Sequence, residues 1–408
     1  MAVRRPPELA AAVALALFAA SPAGAQSLSV HGFVDARLVA PSDERGWLDG
    51  GLGKTRFGDG SGPLEFGGAA LVLDWQLAPA WLVHADVQAH TDDGFSVEPV
   101  EAWLRWRPVS TTPWRWSAKA GEWFVPGSIE NQGVGWTSLW TITPSAINSW
   151  LGEEVRAIGA ELRLEHRGER GSWEGALALL GANDPSGDVL AARGWSFSDR
   201  TFGFGGEVRE PDVAAFGGPL PIRADPFREV DGRRGWYGEL AWRGRRDDRV
   251  TLVRYDNNAD PAASTEFAGR ELYAWTTDYW NLGVQKRVGG TTLVAQAMDG
   301  ATVVAFDDGP RSTTDFRAAF LLAAFGDGPW QPAVRVDWFA ATVDPTTPNP
   351  RAERGNAVTV ALNWRPRPWL RLTGEALWVH SVRGQRRDEG NDAGQDETQL
   401  QVMARFLF

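Results

Sequence analysis

The sequence contains no cysteine among its 408 residues, so neither a disulfide nor a thiolate metal centre is open to it. Lysine occurs only at Lys54, Lys119 and Lys286, which leaves arginine to carry nearly all the positive charge. After residue 25 no stretch approaches the ~18 consecutive apolar residues of a membrane-crossing helix. Positive charge is in deficit overall: the formal net charge of −11 argues against a nucleic-acid partner and is read as solubility of an exposed surface. No proline- or serine-rich linker and no shift of composition divides the chain. A single domain is therefore expected, although a soluble chain of this length would suggest two or three.

Tryptophan and glycine, at 22 and 46 residues, are what the chain has in excess. At the amino end, Arg4 and Arg5 precede an apolar run from Leu9 to Ala20 and the small-x-small triplet Ala23-Gly24-Ala25. This is the order of a secretory signal peptide, so residues 1–25 are expected to be removed and the protein exported. Losing Arg4, Arg5 and Glu8 takes one positive charge from −11 and leaves −12 on the mature domain, 26–408.

The dominant pattern in that domain is alternation. In WLVHADVQAH, Trp81, Val83, Ala85, Val87 and Ala89 fall on one face and His84, Asp86, Gln88 and His90 on the other. VEAWLRWR repeats it, with Val100, Ala102, Leu104 and Trp106 against Glu101, Trp103, Arg105 and Arg107. Such runs predict sixteen strands, at 28–39, 64–77, 81–90, 98–107, 114–124, 157–166, 173–180, 236–243, 249–256, 272–287, 291–304, 315–326, 330–342, 357–365, 369–382 and 397–408. Every second connection between them is short, such as APA, VGG, GDG and PRP, and the alternate ones are long. A sandwich of Greek keys does not have that rhythm; an all-β, antiparallel up-and-down transmembrane barrel does. Closure would satisfy every backbone group without an edge, as hydrocarbon demands. The stretch 181–235 is read either as a large external loop with its own hairpin or as two further strands, giving eighteen; sixteen is preferred.

The tryptophans test the register. Trp75, Trp81, Trp106, Trp114, Trp116, Trp173, Trp242, Trp330 and Trp364 all fall on the apolar face beside short turns, as an interfacial girdle would. Trp236, Trp338 and Trp378 lie toward the long loops and are assigned to the second girdle. Trp369 is an exception, because its parity matches the polar face.

Strand five ends in AGEWFVPGS; the loop IENQGVGWTSLWTITPSAINSWLGEEVR follows, and strand six resumes at AIGAELRLE. In strand and loop rhythm the whole mature chain resembles the general porins of the Gram-negative outer membrane. The G-x-W-F-x-P ending at Gly121–Pro126, within 120–165, resembles the phosphate-selective porin group. The resemblance implies a passive channel for small hydrophilic solutes, a third loop (125–156) folded into the lumen, a homotrimer, and lipid as the surrounding partner. It also implies that the terminal strand TQLQVMARFLF is read through Phe408 by the outer-membrane assembly machinery.

A loop inside a wide barrel must be anchored on one side and wetted on the other. Trp136, Leu139, Trp140, Ile142, Ile147 and Trp150 suit anchorage, while Glu130, Glu153 and Glu154 offer acidic groups. Nearby strands present Arg105, Arg107, Arg115 and Lys119 inward, so these seven residues are the candidate pore constriction, in which carboxylates and guanidinium groups set a transverse field. The alternative is that Glu153, Glu154 and Arg156 make ordinary rim ion pairs. A phosphate-specific pore needs a ladder of fixed cations, but Arg163, Arg335, Arg371 and Arg405 share the inward face with Asp86, Glu101, Glu161, Asp337 and Glu375, which counts against that selectivity.

Catalysis finds little support. Of five histidines, His84 and His90 flank Asp86 on one strand face, yet no Gly-x-Ser-x-Gly accompanies them. No cofactor motif and no metal-ligand spacing is present, so neither a cofactor nor a metal is expected. The remaining alternatives are an adhesin or structural barrel with a closed lumen and a barrel enzyme. A closed lumen of this width would need a filling domain, and the sequence offers none.

Overall fold

The computed structural model describes residues 27–92, 94–212, 223–306, 311–343 and 351–408; the expected leader, 1–25, lies outside them. Sixteen strands close into one antiparallel barrel. They are β1 (Ser27–Ala40), β2 (Leu64–Ala78), β3 (Trp81–His90), β4 (Ser96–Trp106), β5 (Trp114–Trp123), β6 (Ala157–Gly168), β7 (Gly171–Gly181) and β8 (Gly235–Gly244), followed by β9 (Arg249–Asp256), β10 (Thr276–Val288), β11 (Thr291–Ala305), β12 (Arg311–Phe325), β13 (Trp330–Val343), β14 (Glu353–Arg367), β15 (Leu370–Arg383) and β16 (Gly394–Leu407). Each pairs with its sequence neighbours, and β16 returns to β1 in a register from Phe33 opposite Leu407 to Ala40 opposite Leu400. Beyond the last ladder pair, the Gly32 N–H donates to the Phe408 carbonyl at 3.0 Å. Only glycine suits position 32, because a Cβ there would stand 2.2 Å from the Ala70 carbonyl oxygen. The seam leaves no open edge to face hydrocarbon.

Parity sorts the two faces. Apolar side chains such as Leu162, Leu177, Leu240, Leu282, Leu321 and Val402 point outward and are exposed to what surrounds the barrel, while Asp35, Gln88, Gln296, Arg335, Asn363 and Gln399 point inward and are buried. Tryptophans mark the short-turn rim: Trp81 and Trp106 are 6.2 Å apart, Trp106 and Trp116 meet edge to face at 4.5 Å, and Trp330 stacks on Trp364 at 5.1 Å. Near the long-loop rim, exposed Trp236, Trp280, Trp338 and Trp378 stand with outward ion pairs, Arg254 to Asp278 and Arg317 to Asp299. Charge next to interfacial tryptophan marks where the apolar belt ends.

Three sequence expectations change. Trp369 sits on the β14–β15 turn rather than within a strand, so strand parity does not govern it; it stacks outward on Phe406 at 6.4 Å. Val100 is fully buried rather than outward-facing, because the β3–β4 ladder carries a bulge: Asp86 pairs with Glu101 but Val87 with Pro99. Residues 272–275 do not begin the tenth strand. Arg270–Tyr273 instead pairs with Ser264–Phe267 in a hairpin outside the barrel, turned by Ala268 and Gly269 at φ 52° and 79°. The long stretch 181–235 adds no strand to the barrel; its described residues form a short helix and a two-residue pairing of Val208–Arg209 with Arg223–Ala224.

The apolar core lies inside the barrel, between inward residues of the wall and the loops that enter it. Tyr237, Tyr255, Tyr279, Phe316, Phe320 and Phe339 of the wall cluster with Trp140, Trp150, Trp195 and Phe197 of the loops.

Candidate functional site

Loop 125–156 leaves β5 and is held by β13 to β16. In a ring of sixteen strands β13 is eight removed from β5, so the loop crosses the lumen. Arg335 on β13 is the main anchor. Its guanidinium donates to Glu130 at 2.7 Å, Asp337 at 2.7 Å, the Thr143 and Pro144 carbonyls at 2.7 and 3.0 Å, and Thr359 at 3.0 Å. Around it, Glu375 accepts from the Ile142 and Thr143 N–H groups at 2.5 and 3.1 Å, and Asn363 donates to the Trp140 carbonyl at 2.7 Å. Arg371 and Arg405 donate to the Ser138 carbonyl and the Thr137 hydroxyl. Of the four inward arginines read as part of a mixed lumen surface, Arg335, Arg371 and Arg405 are thus engaged with the loop, whereas Arg163 pairs with Glu161, Glu174 and Glu239 on the wall.

The loop closes with a helix, α1 (Ala146–Glu154), capped by Ser145, whose hydroxyl accepts from the Asn148 N–H at 3.3 Å. Glu130 braces that cap, accepting from the Ser145 N–H at 2.9 Å and the Asn148 amide at 2.8 Å. At the far end Glu153 pairs with Arg193 and accepts from the Ser196 hydroxyl at 2.7 Å. Glu154 accepts from the Trp150 indole at 2.7 Å and from the N–H groups of Gly187, Val189 and Leu190 at 3.0, 3.0 and 2.9 Å. It caps the second loop helix, α2 (Asp188–Arg193), from another segment of the chain. All three glutamates proposed for the constriction are fully buried in these contacts.

Two further loops join this one. Residues 41–63 bury Trp47, Lys54 and Arg56, with Lys54 paired to Glu353 on β14. Residues 182–212 bury Trp195 and Phe197 against Phe316 and Phe339 and place Asp199 between Arg37 and Arg56. No separate plug domain was legible in the sequence, yet three loops together fill much of the long-loop half of the lumen.

The cationic members of the predicted site lie elsewhere. Arg105, Arg107 and Arg115 meet in a cavity of about 440 Å³ at the short-turn end, with Arg163, Arg243 and Arg249 from β6, β8 and β9. Lys119 stands beside it, 3.8 Å from Glu161 and over the Trp123 ring at 4.2 Å. The acidic and basic groups are thus segregated along the lumen rather than facing each other across one gap. Arg243 and Arg249 were not singled out from sequence, but the signal was present: each is opposite in parity to an outward neighbour, Trp242 or Val250. A smaller cavity of about 290 Å³ lies between loop residues 131–136 and His84, Asp86 and Glu101 of the wall. His84 there bonds Asp74 at 2.9 Å and stacks on Trp103 at 4.6 Å; it shares no hydrogen bond with His90 or Asp86 among the described residues.

Burial dominates the loop carboxylates. It pushes Glu154 up to about 7, with Glu153 adding to the rise and Arg193 opposing it, and raises buried Asp188 and Glu210 as well. Groups raised on folding hold protons that the unfolded chain has released, so their contribution to loop stability falls as pH rises from the usual carboxylate range to about 7. Asp199, held low by Arg37 and Arg56, contributes the opposite dependence only at more acidic pH. Acidification from pH 7.5 to 5.5 is therefore expected to slow amide exchange at Gly187–Leu190 after correction for intrinsic rates. Exchange that is unchanged, or faster at pH 5.5, would count against this reading.

A scan against models of protein families finds no match, and no curated protein matches in sequence. Solved structures do match in shape. A loop-L8 deletion mutant of OmpT, an outer membrane protein of Vibrio cholerae, is similar at TM-score 0.53 and 9% identity, covering 94% of this chain and 100% of that one. An anion-selective porin from Comamonas acidovorans is similar at TM-score 0.51 and 13% identity, with the same coverage, as is in-vitro folded OmpT in a trimer form at 0.51 and 10%. Identities this low speak to architecture, and the architecture agrees with strand count, closure and outward apolar belt. The chain has the fold of the porin-like integral barrels of the outer membrane.

Proposed function

We propose that this protein is an outer-membrane porin, a channel for passive diffusion of small hydrophilic solutes rather than an enzyme, made with a leader spanning residues 1–25. The observation that carries the reading is the polar, arginine-lined cavity inside the barrel wall, below a loop that crosses the lumen. A passive route needs wetted walls and a narrowing; Arg105, Arg107, Arg115 and Lys119 supply fixed charge along it, and Glu130, Glu153 and Glu154 act by fixing the loop. The Comamonas acidovorans porin is named as anion-selective, in keeping with an arginine-lined route here. Assembly as a homotrimer is part of the proposal, since one OmpT structure is named as a trimer form.

The alternative is a structural barrel whose lumen does not conduct. Its support is the buried filling of the long-loop half by residues such as Trp150, Trp195 and Phe197. Planar-bilayer recording separates the two. The porin reading expects ohmic steps, three equal levels per inserted assembly, and a reversal potential under a KCl gradient that favours chloride. Absence of steps from folded protein would sink it.

A further inference from the structure

We propose that the arginine cavity at the short-turn end is a binding site for a compact multivalent oxyanion, entered from the side that faces the periplasm in barrels of this kind. This goes beyond diffusion, because binding requires no conduction.

Lining this cavity are donors that no protein group uses. The cavity holds seven guanidinium groups and three carboxylates. Each carboxylate is already taken: Glu174 by Arg163 at 3.0 Å and Arg243 at 2.8 Å, Glu239 by Arg163 at 2.6 Å, and Glu165 by Arg167 at 2.5 Å. Arg105, Arg107, Arg115 and Arg249 make no side-chain hydrogen bond or ion pair among the described residues, and the Nε atoms of Arg105, Arg115 and Arg249 are buried without an acceptor. Four positive charges in excess thus face one space of about 440 Å³. Like charges sharing one space repel, so an anion among these guanidinium groups would relieve their repulsion and take up donors that no protein acceptor uses.

Geometry selects the ligand class. A guanidinium presents parallel N–H groups matched to two oxygens of a carboxylate or phosphate, and it stays charged at any working pH. Chloride satisfies the charge but not the forks. Donors arriving from β4, β5 and β9 favour an anion with oxygens on more than one side, either a condensed phosphate or a compact polycarboxylate. The cavity volume admits both.

Titration calorimetry on the detergent-solubilised barrel tests the site, with inorganic pyrophosphate and citrate as separate probes and chloride as the background salt. Saturable binding is expected, and its affinity should fall as chloride rises. Arg115→Gln and Arg249→Gln should each weaken it by about tenfold, the order expected for losing charged hydrogen bonds. Lys286→Gln, on the outer surface, should leave it unchanged. Arg115→Lys keeps the charge but not the fork and should fall between wild type and Arg115→Gln. Folding of each variant is read from heat-modifiable gel mobility. Pyrophosphate alone binding would name phosphate chemistry, citrate alone would name carboxylate chemistry, and neither binding to wild type, or equal binding to wild type and both Gln variants, would overturn the site. Bilayer steps without calorimetric binding would remove this proposal and leave the channel standing; binding without steps would do the reverse.

Discussion

Arg335→Met is expected to free loop 125–156 from the opposite wall without unmaking the barrel. Arg335 is fully buried and holds Glu130 and Asp337 at 2.7 Å each, together with two loop carbonyls. Methionine fills similar space but leaves two carboxylates and two carbonyls without their donor. Breaking a buried pair in this way typically costs about 3–5 kcal/mol, more than a lumen loop resting on a few remaining contacts is expected to carry. The strands keep their ladders, so heat-modifiable mobility should persist while chymotrypsin gains access at Trp136 and Trp140. If the protein conducts, its steps should become larger and noisier. Adding Glu130→Gln removes one stranded charge and should restore part of the loss, a coupling of roughly 0.5–3 kcal/mol for residues in contact. A loop that stays protected in Arg335→Met would show that Glu375, Asn363 and Arg371 suffice to hold it.

The contrast between barrel and lumen explains what was legible in the sequence. A strand declares itself within ten residues, because alternation and flanking turns are local; Trp81–His90 and Arg249–Asp256 carry the bounds read from sequence. The lumen is written in pairs with no local signature. Glu130 and Arg335 are 205 positions apart, and Arg37 and Asp199 are 162 apart. Parity rightly turned Arg105 and Arg115 inward, but it could not tell that the loop glutamates face away from them toward Arg335 and α2. Even parity fails where the ladder slips, as at Val100, or where the residue belongs to a turn, as at Trp369. A filling domain would stand in the sequence as one segment, whereas the filling here comes from three loops that meet only in the folded chain.

Asp199→Asn is the second change of large expected effect. Asp199 lies between Arg37 and Arg56, accepting from Arg37 at 3.1 Å through one oxygen and from Arg56 at 3.0 Å, with a further contact to Arg37. Both arginines are almost wholly buried. Arg56 keeps Asp92 at 2.8 Å and Arg37 keeps Asp35 at 3.2 Å, but the charge separating the two cations is gone. The expected cost is again about 3–5 kcal/mol, now borne by segment 195–206. Its release should be partial. Trp195 and Phe197 stay wedged in the aromatic core, and Arg200 holds Glu98 at 2.6 Å. Trypsin should therefore cut after Arg200 faster than in wild type but far more slowly than in the heat-unfolded chain. Opening this segment should also loosen the first loop, because the two anchors share a side chain. Gln401 accepts from Arg37 at 3.3 Å and donates to the Thr143 hydroxyl at 3.3 Å, joining the Asp199 cluster to the Arg335 cluster. Independent loops would give additive losses within roughly 0.5 kcal/mol when Asp199→Asn and Arg335→Met are combined. A larger deviation, abolished by Gln401→Leu, is the expected outcome, and it would make the lumen filling one cooperative body rather than three loops that happen to touch.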